Sequence, residues 1–344
     1  MTREEQACMT PPYRRILAAT DFSPNGDAAL HRALWLALQC NSHLVVAHVI
    51  RDVQEAISQT SYRSRIEFME GHDEQFQREL RRASDNRLKA AIRAMGPQAV
   101  EVRYETLLGR RPHAELIHSV QREKYDLLVA GAGQHSVVRQ LLIGSTAKSL
   151  LRMCPAPVWV VKKEASRNVT AILVAVDLSD VSRVALEHAK SIAASAQATL
   201  HVLHVVDCSD SLSGLLGTKP AKGEHRTLRE FINAEAERDF DAFLSNDPLP
   251  SVPLQRHLLW GNSAQEIIAL AHRLNVDLIA LGSIGRTGLQ GVMLGNTAEN
   301  VLAHCECDVL TVKPPDFVSP IEPAMWQLHP GPIHEKPTSG DRAQ

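Results

Sequence analysis

The sequence lacks any apolar stretch long enough to cross a membrane. Its longest apolar runs, such as residues 171–176, have the length of a strand, whereas a membrane-spanning helix needs about 20 apolar residues. The first residues carry no apolar segment behind a basic start, which a secretory signal would require. We therefore expect a cytoplasmic protein that has no membrane partner.

The chain also lacks an excess of charge of either sign. Its 37 lysine and arginine residues nearly balance its 39 aspartate and glutamate residues, so the formal net charge at pH 7 is −2. Proteins that bind the phosphate backbone of DNA or RNA are usually strongly basic. Nucleic acid is therefore not an expected partner.

Cysteine is scarce, with six residues in a chain of 344. This is no disulfide-dense pattern, and we expect the thiols of a cytoplasmic protein to be reduced. Two of the six lie in the segment His-Cys-Glu-Cys-Asp at residues 304–308. Zinc sites usually space cysteines two to four residues apart and take four ligands from two places in the chain, so we expect no metal here. Cys307 is predicted to enter the last strand as a small apolar residue.

Motifs of several common enzyme classes are absent. The sequence contains no Gly-x-Ser-x-Gly, no His-Glu-x-x-His and no Gly-x-x-x-x-Gly-Lys-Ser/Thr. The sequence therefore does not support assignment to the corresponding serine hydrolases, zinc peptidases or P-loop NTPases. We assign no catalytic residue from the sequence.

What the sequence does contain is an internal repeat, because the second half echoes the first at an offset of about 151 to 156 residues. Four pairs of short segments match, namely 14–21 with 169–177, 44–49 with 200–205, 125–131 with 276–282, and 154–162 with 305–313. A repeat of about 150 residues has the size of a whole domain. The chain is therefore predicted to be a tandem duplication.

Each half alternates strand patterns with helix patterns. The apolar runs are continuous, as expected for strands that are covered on both faces of a parallel sheet. Segments with apolar residues at helical spacing separate these runs. Such alternation predicts right-handed crossovers, and therefore two tandem α/β domains, each with a doubly wound, five-stranded parallel sheet.

Changes in composition predict the domain bounds. The first domain is expected at residues 13–163, after a flexible N-terminus at residues 1–12, and the second at residues 168–315. Residues 316–344 are rich in proline and show no apolar period, so they are predicted to form an extended or disordered tail.

A glycine-bearing loop follows a predicted strand in each half. In open parallel sheets, ligands bind beyond the carboxyl ends of strands where the strand order reverses. In the second half the loop runs from Gly282 to Gly295, and a helix is predicted to begin near Asn296. Glycines let the backbone approach a ligand, and the N–H groups of a helix start favour an anion such as phosphate. Turns and helix starts use glycine as well, so the loop alone does not establish a phosphate site.

Over about residues 13 to 315, these segments resemble the universal stress protein family, in particular its tandem two-domain type. The most specific part is the spacing Gly-x2-Gly-x9-Gly-(Ser/Thr), which nucleotide-binding members use to hold the phosphates and ribose of ATP. The resemblance implies a Rossmann-like fold, similar to the adenine nucleotide alpha hydrolases, in each half. It also implies that the two halves pair through their final strands, at residues 158–161 and 309–312.

The resemblance implies one site for ATP or another adenine nucleotide in each half. The favoured site, in the second half, comprises Asp177, Val205, Gly282, Gly285, Gly295, Asn296 and Thr297. The corresponding residues of the first half are Asp21, Val49, Gly131, Gly144 and Ser145.

Neither half keeps the whole glycine pattern. Asn296 stands where Ser or Thr is expected, but its amide can donate a hydrogen bond and asparagine is a good helix N-cap, so we expect the helix start to be kept. In the first half, Gln134 replaces the middle glycine. A side chain there obstructs the backbone approach to phosphate and, where positive φ is required, adds strain of about 1 kcal/mol. The second site therefore ranks above the first.

Other residues near the presumed clefts allow simpler interpretations. Asp21 and Asp177 could contact a ligand or bond the helix start that follows each of them, and the sequence does not separate these roles. His48 and His204 are predicted to be packed histidines with one ring hydrogen bond each. The long first-half helix is basic, but interspersed acidic residues indicate a solvated face. Its basic residues are Arg78, Arg81, Arg82, Arg87, Lys89 and Arg93.

These observations favour a stress-response protein that binds an adenine nucleotide or another small ligand and signals by conformation, with any ATP hydrolysis slow. Two alternatives stay open. One is an interaction scaffold with degenerate sites, which Gln134 supports. The other is an ATP-dependent enzyme, for which the sequence supplies no base or nucleophile at a characteristic spacing. The expected partners are a small-molecule ligand, the other domain of the same chain and, in a higher oligomer, further copies of the chain.

Overall fold

The computed structural model describes residues 13–51, 73–96, 99–133, 143–162, 168–206, 228–245, 252–283 and 294–322. Within these residues the strands are β1 Arg15–Ala19, β2 His43–Ile50, β3 Val102–Leu108, β4 Leu127–Gly131, β5 Val158–Val161, β6 Ala171–Val176, β7 Thr199–Val206, β8 Leu254–Trp260, β9 Leu278–Gly282 and β10 Asp308–Val312. The helices are α1 Pro24–Cys40, α2 Asp73–Ala94, α3 Pro112–Glu123, α4 Ser145–Met153, α5 Asp180–Ala196, α6 Leu228–Ser245, α7 Ser263–Arg273 and α8 Asn296–His304.

The strands form one sheet in the order β3-β2-β1-β4-β5-β10-β9-β6-β7-β8. Each half contributes five strands, and all neighbours within a half are parallel. In both halves the order reverses beside the first strand, between β1 and β4 and between β6 and β9. The predicted fold class, two tandem doubly wound α/β domains, is therefore confirmed.

Helices cover both faces of this sheet. One apolar cluster contains buried residues of α1, α2, α5 and α6, and the other contains buried residues of α3, α4, α7 and α8. Four successive residues are buried in each of the central strands β4 and β9. This two-sided burial is the physical reason for the continuous apolar runs in the sequence.

The two halves join through their final strands. β5 and β10 pair in antiparallel register, with Val160 opposite Val309 and Val158 opposite Thr311. Pairing of this kind satisfies backbone groups that an exposed edge would leave open. The intramolecular pairing that the family resemblance implied is thus present.

A buried carboxylate reinforces the junction. Asp308, at the start of β10, accepts hydrogen bonds from Arg32 Nε at 3.1 Å, Trp159 Nε1 at 3.1 Å and the backbone N–H of Lys162 at 3.0 Å. Asp308 and the Arg32 side chain are almost completely buried. All three donors belong to the first half, so these three bonds form only when the two halves are together.

The start of the proline-rich tail, residues 316–322, has defined contacts in the structure. Ser319 Oγ donates to the carbonyl oxygen of Met153 at 2.8 Å. Gln121 Nε2 and His118 Nε2 donate to the carbonyl oxygens of Ile321 and Glu322, at 3.3 and 2.9 Å. Ile321 also packs against the apolar cluster that contains α3, α4, α7 and α8. We call residues 316–322 the strap, because it leads from the second half onto α3 and α4 of the first.

Other predictions for the chain ends and the joint fall outside the described residues. These are the flexible N-terminus at 1–12, residues 163–167 of the joint between the two predicted domains, and the tail beyond residue 322. No helix among the described residues is both long and apolar enough to span a membrane.

Candidate functional site

Those predicted site residues that the structure describes gather, in each half, at the carboxyl edge of the sheet, where the strand order reverses. Ala19 of β1 pairs with Ala47 of β2 on one side and with Ala130 of β4 on the other. The chain therefore leaves β1, β2 and β4 at neighbouring points. The second half repeats this arrangement with β6, β7 and β9. Diverging crossovers at such a point leave a crevice that a ligand can occupy.

Asp21 and Asp177 each accept hydrogen bonds from the serine that precedes the next helix. Oδ1 of each carboxylate accepts from the backbone N–H two residues later, at Ser23 or Ser179, and from the same serine's hydroxyl. These serines are the N-caps of α1 and α5. The loop-bonding role considered for both aspartates is therefore real, and a ligand contact would use their remaining capacity to accept hydrogen bonds.

The first glycine of the pattern has a packing role in the first half. A Cβ at Gly131 would lie 2.5 Å from the carbonyl oxygen of Asn25, so glycine is needed for α1 to start against the end of β4. At Gly144 the nearest atoms, in Ala132 and Gly133, would be 3.4 Å from a Cβ, which is an ordinary contact. Gly131 therefore has a structural explanation that does not require a ligand.

The third glycine begins the last helix of each half. Gly144 N donates to the carbonyl oxygen of Ala132 at 2.7 Å, and Gly295 N donates to that of Ser283 at 2.8 Å. Both glycines are N-caps that make no side-chain capping bond. The interpretation of Asn296 as the cap is thus wrong, because it is the first residue of α8.

The residues that follow these caps face outward. Ser145, Asn296 and Thr297 are all exposed in the first turns of α4 and α8. The first N–H groups of a helix have no acceptor within the helix. Both first turns can therefore donate to an anion at the carboxyl edge.

Val49 and Val205 are the penultimate residues of β2 and β7, beside the crevice of each half. Both are half-buried and pack against the apolar cluster of α3, α4, α7 and α8. The neighbouring His48 and His204 donate through Nδ1 to the carbonyl oxygens of Thr20 and Val176, each at 2.8 Å. Both histidines are bound to the sheet in the way predicted for packed residues. Burial lowers the pKa of His48 below its ordinary value.

The remaining members of the glycine pattern lie outside the described residues. These are Gly285 in the second half and Gln134, which replaces the middle glycine in the first. The ranking of the two sites by these residues therefore stays a prediction.

One cation near the first crevice was missed by sequence reasoning. The guanidinium of Arg87, in α2, lies 3.9 Å from the ring centroid of Phe22, the residue after Asp21. The Phe22 ring in turn lies 4.4 Å from the His48 ring. The charge pattern of α2 indicated only a solvated face, and nothing in it relates residue 87 to residue 22.

The cysteine-rich segment forms part of the domain junction. Cys305 and Cys307 are buried, as predicted for Cys307. Lys162 Nζ lies 3.3 Å from Cys305 Sγ and donates to the carbonyl oxygens of Leu302 and Cys305. Within the described ranges, no three His, Cys, Asp or Glu side chains are placed to hold a metal ion.

A cavity of about 290 Å³ lies at the opposite edge of the sheet. Its lining includes Arg15, His43, Glu101 and Arg103, at the amino ends of β1, β2 and β3. His43 and Arg103 pair with Glu101, and Arg15 pairs with Glu123. This cavity contains none of the predicted site residues.

Comparison with known proteins agrees with this architecture. The model of the universal stress protein family matches residues 12–162 and, a second time, residues 168–313. The chain belongs to the universal stress protein family. Its two matches cover both halves of the sheet, so it is a universal stress protein of the tandem type.

Relatives of this universal stress protein include both tandem and shorter proteins. Universal stress protein E from Photorhabdus laumondii is 25% identical over 324 residues, which cover 91% of this chain and 98% of that protein. Universal stress protein A homolog 1 from Coxiella burnetii is 36% identical over 141 residues, or 41% of this chain and 94% of that protein. A crystal structure of a universal stress protein from Archaeoglobus fulgidus has a TM-score of 0.60 at 20% identity, covering 88% of this chain and 98% of that one. This last similarity concerns the fold.

Proposed function

We propose that this universal stress protein binds an adenine nucleotide, such as ATP, or another small ligand at the carboxyl edge of its sheet, and that the second half holds the favoured site. The observation that carries the proposal is the start of α8. Its N-cap, Gly295, has no side chain to occupy the first-turn N–H groups, and the helix begins beside the switch point between β6 and β9. Helix starts of this kind bind phosphate groups.

The starts of four other helices differ from the start of α8. In α1, α5 and α7 the side chains of Ser23, Ser179 and Asn262 accept from a backbone N–H of the first turn. α3 has no side-chain cap either, but it begins with Pro112, which has no N–H to donate. α4 and α8 therefore have no side-chain cap, and the N–H groups of their first turns can donate to a ligand.

The preference for the second half rests on the glycine pattern. Gly282, Gly285 and Gly295 keep all three glycines there, whereas Gln134 interrupts the pattern in the first half. Asp177 and Val205 would contact the ribose and base in this arrangement.

We further propose that the protein works in the cytoplasm, in a stress response, through a ligand-dependent change of conformation and not through rapid catalysis. The carboxylates of Asp21 and Asp177 already accept hydrogen bonds from the serine N-caps. His48 and His204 already donate to backbone carbonyl oxygens at the ends of β1 and β6. A fast hydrolase needs a base that is placed to activate water. Any ATP hydrolysis would then be slow.

Calorimetric titration of the intact chain with ATP tests the binding site. We expect one ATP per chain and loss of binding in Gly295→Asp, because the new carboxylate would lie against the phosphates. Gly144→Asp, the same change at the equivalent glycine of the first half, should leave the stoichiometry nearly unaltered.

Two results would overturn this assignment. Equivalent binding at two sites, or loss of binding only in Gly144→Asp, would reverse the ranking. Absence of ATP binding to the wild-type chain, together with no nucleotide released on denaturation of the purified protein, would favour the interaction scaffold instead.

A further inference from the structure

Two cysteines lie next to each other where α8 leads into β10. Cys305 is the C-cap of α8, Cys307 directly precedes β10, and the chain bends at Glu306 between them. The thiol of Cys307 donates a hydrogen bond to the sulfur of Cys305. As a thiol, Cys305 can itself donate to the carbonyl oxygen of Cys307, 3.6 Å from its Sγ. Two thiols in hydrogen-bond contact can join as a disulfide with little movement of the backbone.

A lysine from the other half of the molecule contacts this pair. Nζ of Lys162, the residue after β5, lies 3.3 Å from Cys305 Sγ and also donates to the carbonyl oxygens of Leu302 and Cys305. Each of the three N–H groups of this ammonium therefore has an acceptor, and one acceptor is the sulfur atom. A cation in this position favours the thiolate form of Cys305, which is the reactive form of a cysteine.

The two thiols differ in their tendency to lose a proton. The hydrogen bond from Cys307 lowers the pKa of Cys305 against the opposing effect of burial, and the charge of Lys162 lowers it further, while the carboxylate of Asp308 raises it. The same hydrogen bond and burial raise the pKa of Cys307. The proton of the pair therefore stays on Cys307, and Cys305 is the thiol that ionises first.

The first half carries a single cysteine at the same place in the fold. Its matching segment is Cys-Pro-Ala at residues 154–156, so an alanine stands where the second half has Cys307. Lys313 takes the place of Lys162, but among the described residues its Nζ makes no hydrogen bond to Cys154 or to any other group. Burial raises the pKa of Cys154 to about 12. Cys154 is therefore an internal reference for a cysteine that is not activated.

We infer that Cys305 and Cys307 form a redox-active dithiol that hydrogen peroxide oxidises to an intramolecular disulfide, with Lys162 holding Cys305 as the reactive thiolate. A thiolate beside a cation and a second thiol is the arrangement that redox-sensing cysteines use. Both cysteines are buried, but His304 and Glu306, on either side of Cys305, are exposed. The sulfur atoms therefore lie just below the surface, within reach of a molecule as small as hydrogen peroxide. The inference does not depend on a nucleotide site.

The oxidation proceeds in two steps. The Cys305 thiolate attacks one oxygen of hydrogen peroxide, so that an S–O bond forms, the O–O bond breaks, hydroxide leaves and Cys305 becomes a sulfenic acid. The sulfur of Cys307 then attacks the sulfenic sulfur, so that the S–S bond forms, the S–O bond breaks and water leaves with the thiol proton of Cys307. The two cysteines together supply the two electrons that reduce the peroxide.

Peroxide treatment of the intact chain tests the inference. The reduced wild-type protein is treated with hydrogen peroxide at pH 7, and the product is digested without reduction and mapped by mass spectrometry. We expect the first product to be about 2 Da lighter than the reduced chain, because two hydrogen atoms are lost when a disulfide forms. The loss should map to the peptide that contains Cys305 and Cys307, with Cys154 still reduced.

Two cysteine variants separate the steps. Cys307→Ser keeps a hydroxyl that can donate to Cys305 but removes the second thiol. This variant should stop at the sulfenic acid, which dimedone traps, and should form no disulfide at this position. Cys154→Ser, the matched change in the first half, should be oxidised at the wild-type rate.

Variants of Lys162 test its positioning role. Lys162→Met should slow the oxidation about tenfold at pH 7, the effect of a rise of about one unit in the pKa of the thiol. The pH at which the rate reaches half of its maximum should rise accordingly. Lys162→Arg keeps a positive charge and N–H donors, so it should restore most of the rate and of the pH profile. Thermal melts establish which variants are folded.

Three results would overturn the inference. One is a wild-type product without a disulfide between Cys305 and Cys307. Another is oxidation of Cys154 as fast as that of Cys305. The third is a folded Lys162→Met chain with the rate and pH profile of the wild type. The wild-type map decides the matter even if Lys162→Met does not fold.

Discussion

Lys162 and Lys313 directly follow the last strands of the two halves but have different surroundings. Lys162 donates to two carbonyl oxygens at the end of α8. Lys313 Nζ is buried, and in the described part of the chain it has no hydrogen-bond partner. The Phe317 ring, 4.7 Å away, is the contact that the structure gives it. Burial lowers the pKa of Lys313 from 10.5 to about 8.

Replacing this amine should stabilise the protein. Lys313→Met is expected to raise the free energy of unfolding at pH 7 by up to about 3 kcal/mol, since the pKa shift corresponds to roughly that cost of holding the charged form. The folded-state pKa lies below the unfolded one, so the unfolded state binds more protons between about pH 8 and 10.5. The wild type therefore gains stability as the pH rises through this window, and the advantage of the variant should shrink.

Urea unfolding at pH 7 and pH 9.5 measures both effects. Lys162→Met is the matched control, and it should destabilise the protein by about 1–3 kcal/mol because two buried carbonyl groups lose their donor. If Lys313→Met is less stable than the wild type at pH 7, the amine makes a favourable contact that this account omits.

At the scale of elements, the strap is the clearest departure from the sequence pattern. The tail that begins with the strap, residues 316–344, is rich in proline and has no apolar periodicity, so local sequence predicts an extended or disordered segment. Its contacts are nevertheless specific, because Met153, Gln121 and His118 present complementary backbone and side-chain groups at the ends and faces of α3 and α4. These groups belong to the first half, so the sequence around residues 316–322 does not predict the contacts.

Truncation at two points tests the strap. A chain that ends at residue 315 loses three hydrogen bonds and the packing of Ile321, and should be destabilised by roughly 2–4 kcal/mol. A chain that ends at Glu322 keeps all of these contacts and should retain the melting temperature of the full-length protein. Calorimetric melts of the three chains decide the matter, and equal melting temperatures for the two truncations would show that the strap contributes no stability.

For the whole molecule, the junction between the halves is the main determinant of shape. The β5–β10 ladder and the buried Asp308 network place all ten strands in one sheet. Removing one partner of a buried ion pair typically costs 3–5 kcal/mol, so the Arg32–Asp308 pair opposes separation of the halves.

A cut between the halves should therefore leave them together. A protease site inserted between Ser166 and Arg167 allows the folded chain to be cleaved after purification, and the two pieces should elute as one complex in size-exclusion chromatography. Asp308→Ala in the cleaved protein leaves Arg32 buried without its carboxylate and should make the pieces separate at lower protein concentration. Separate elution of the cleaved wild-type pieces would contradict the intramolecular pairing.

The sequence by itself determined the duplication, the α/β class and the five strands of each half, whereas the pairing of the final strands was implied by the family resemblance. These features depend on the order and length of apolar runs, which burial on both faces of a sheet imposes on the chain locally. The glycines at the crevices could be found for a different reason, since turns and helix starts select residues by backbone conformation.

Only the tertiary structure decided the role of particular side chains. It made Gly295 the N-cap of α8 and Asn296 its first residue, placed Arg87 on Phe22 and, among the described residues, left the buried Nζ of Lys313 without a hydrogen-bond partner. Each of these depends on contacts between residues far apart in the chain. Such contacts follow from strand register and helix packing, which place complementary groups within bonding distance and which no local pattern of residues specifies.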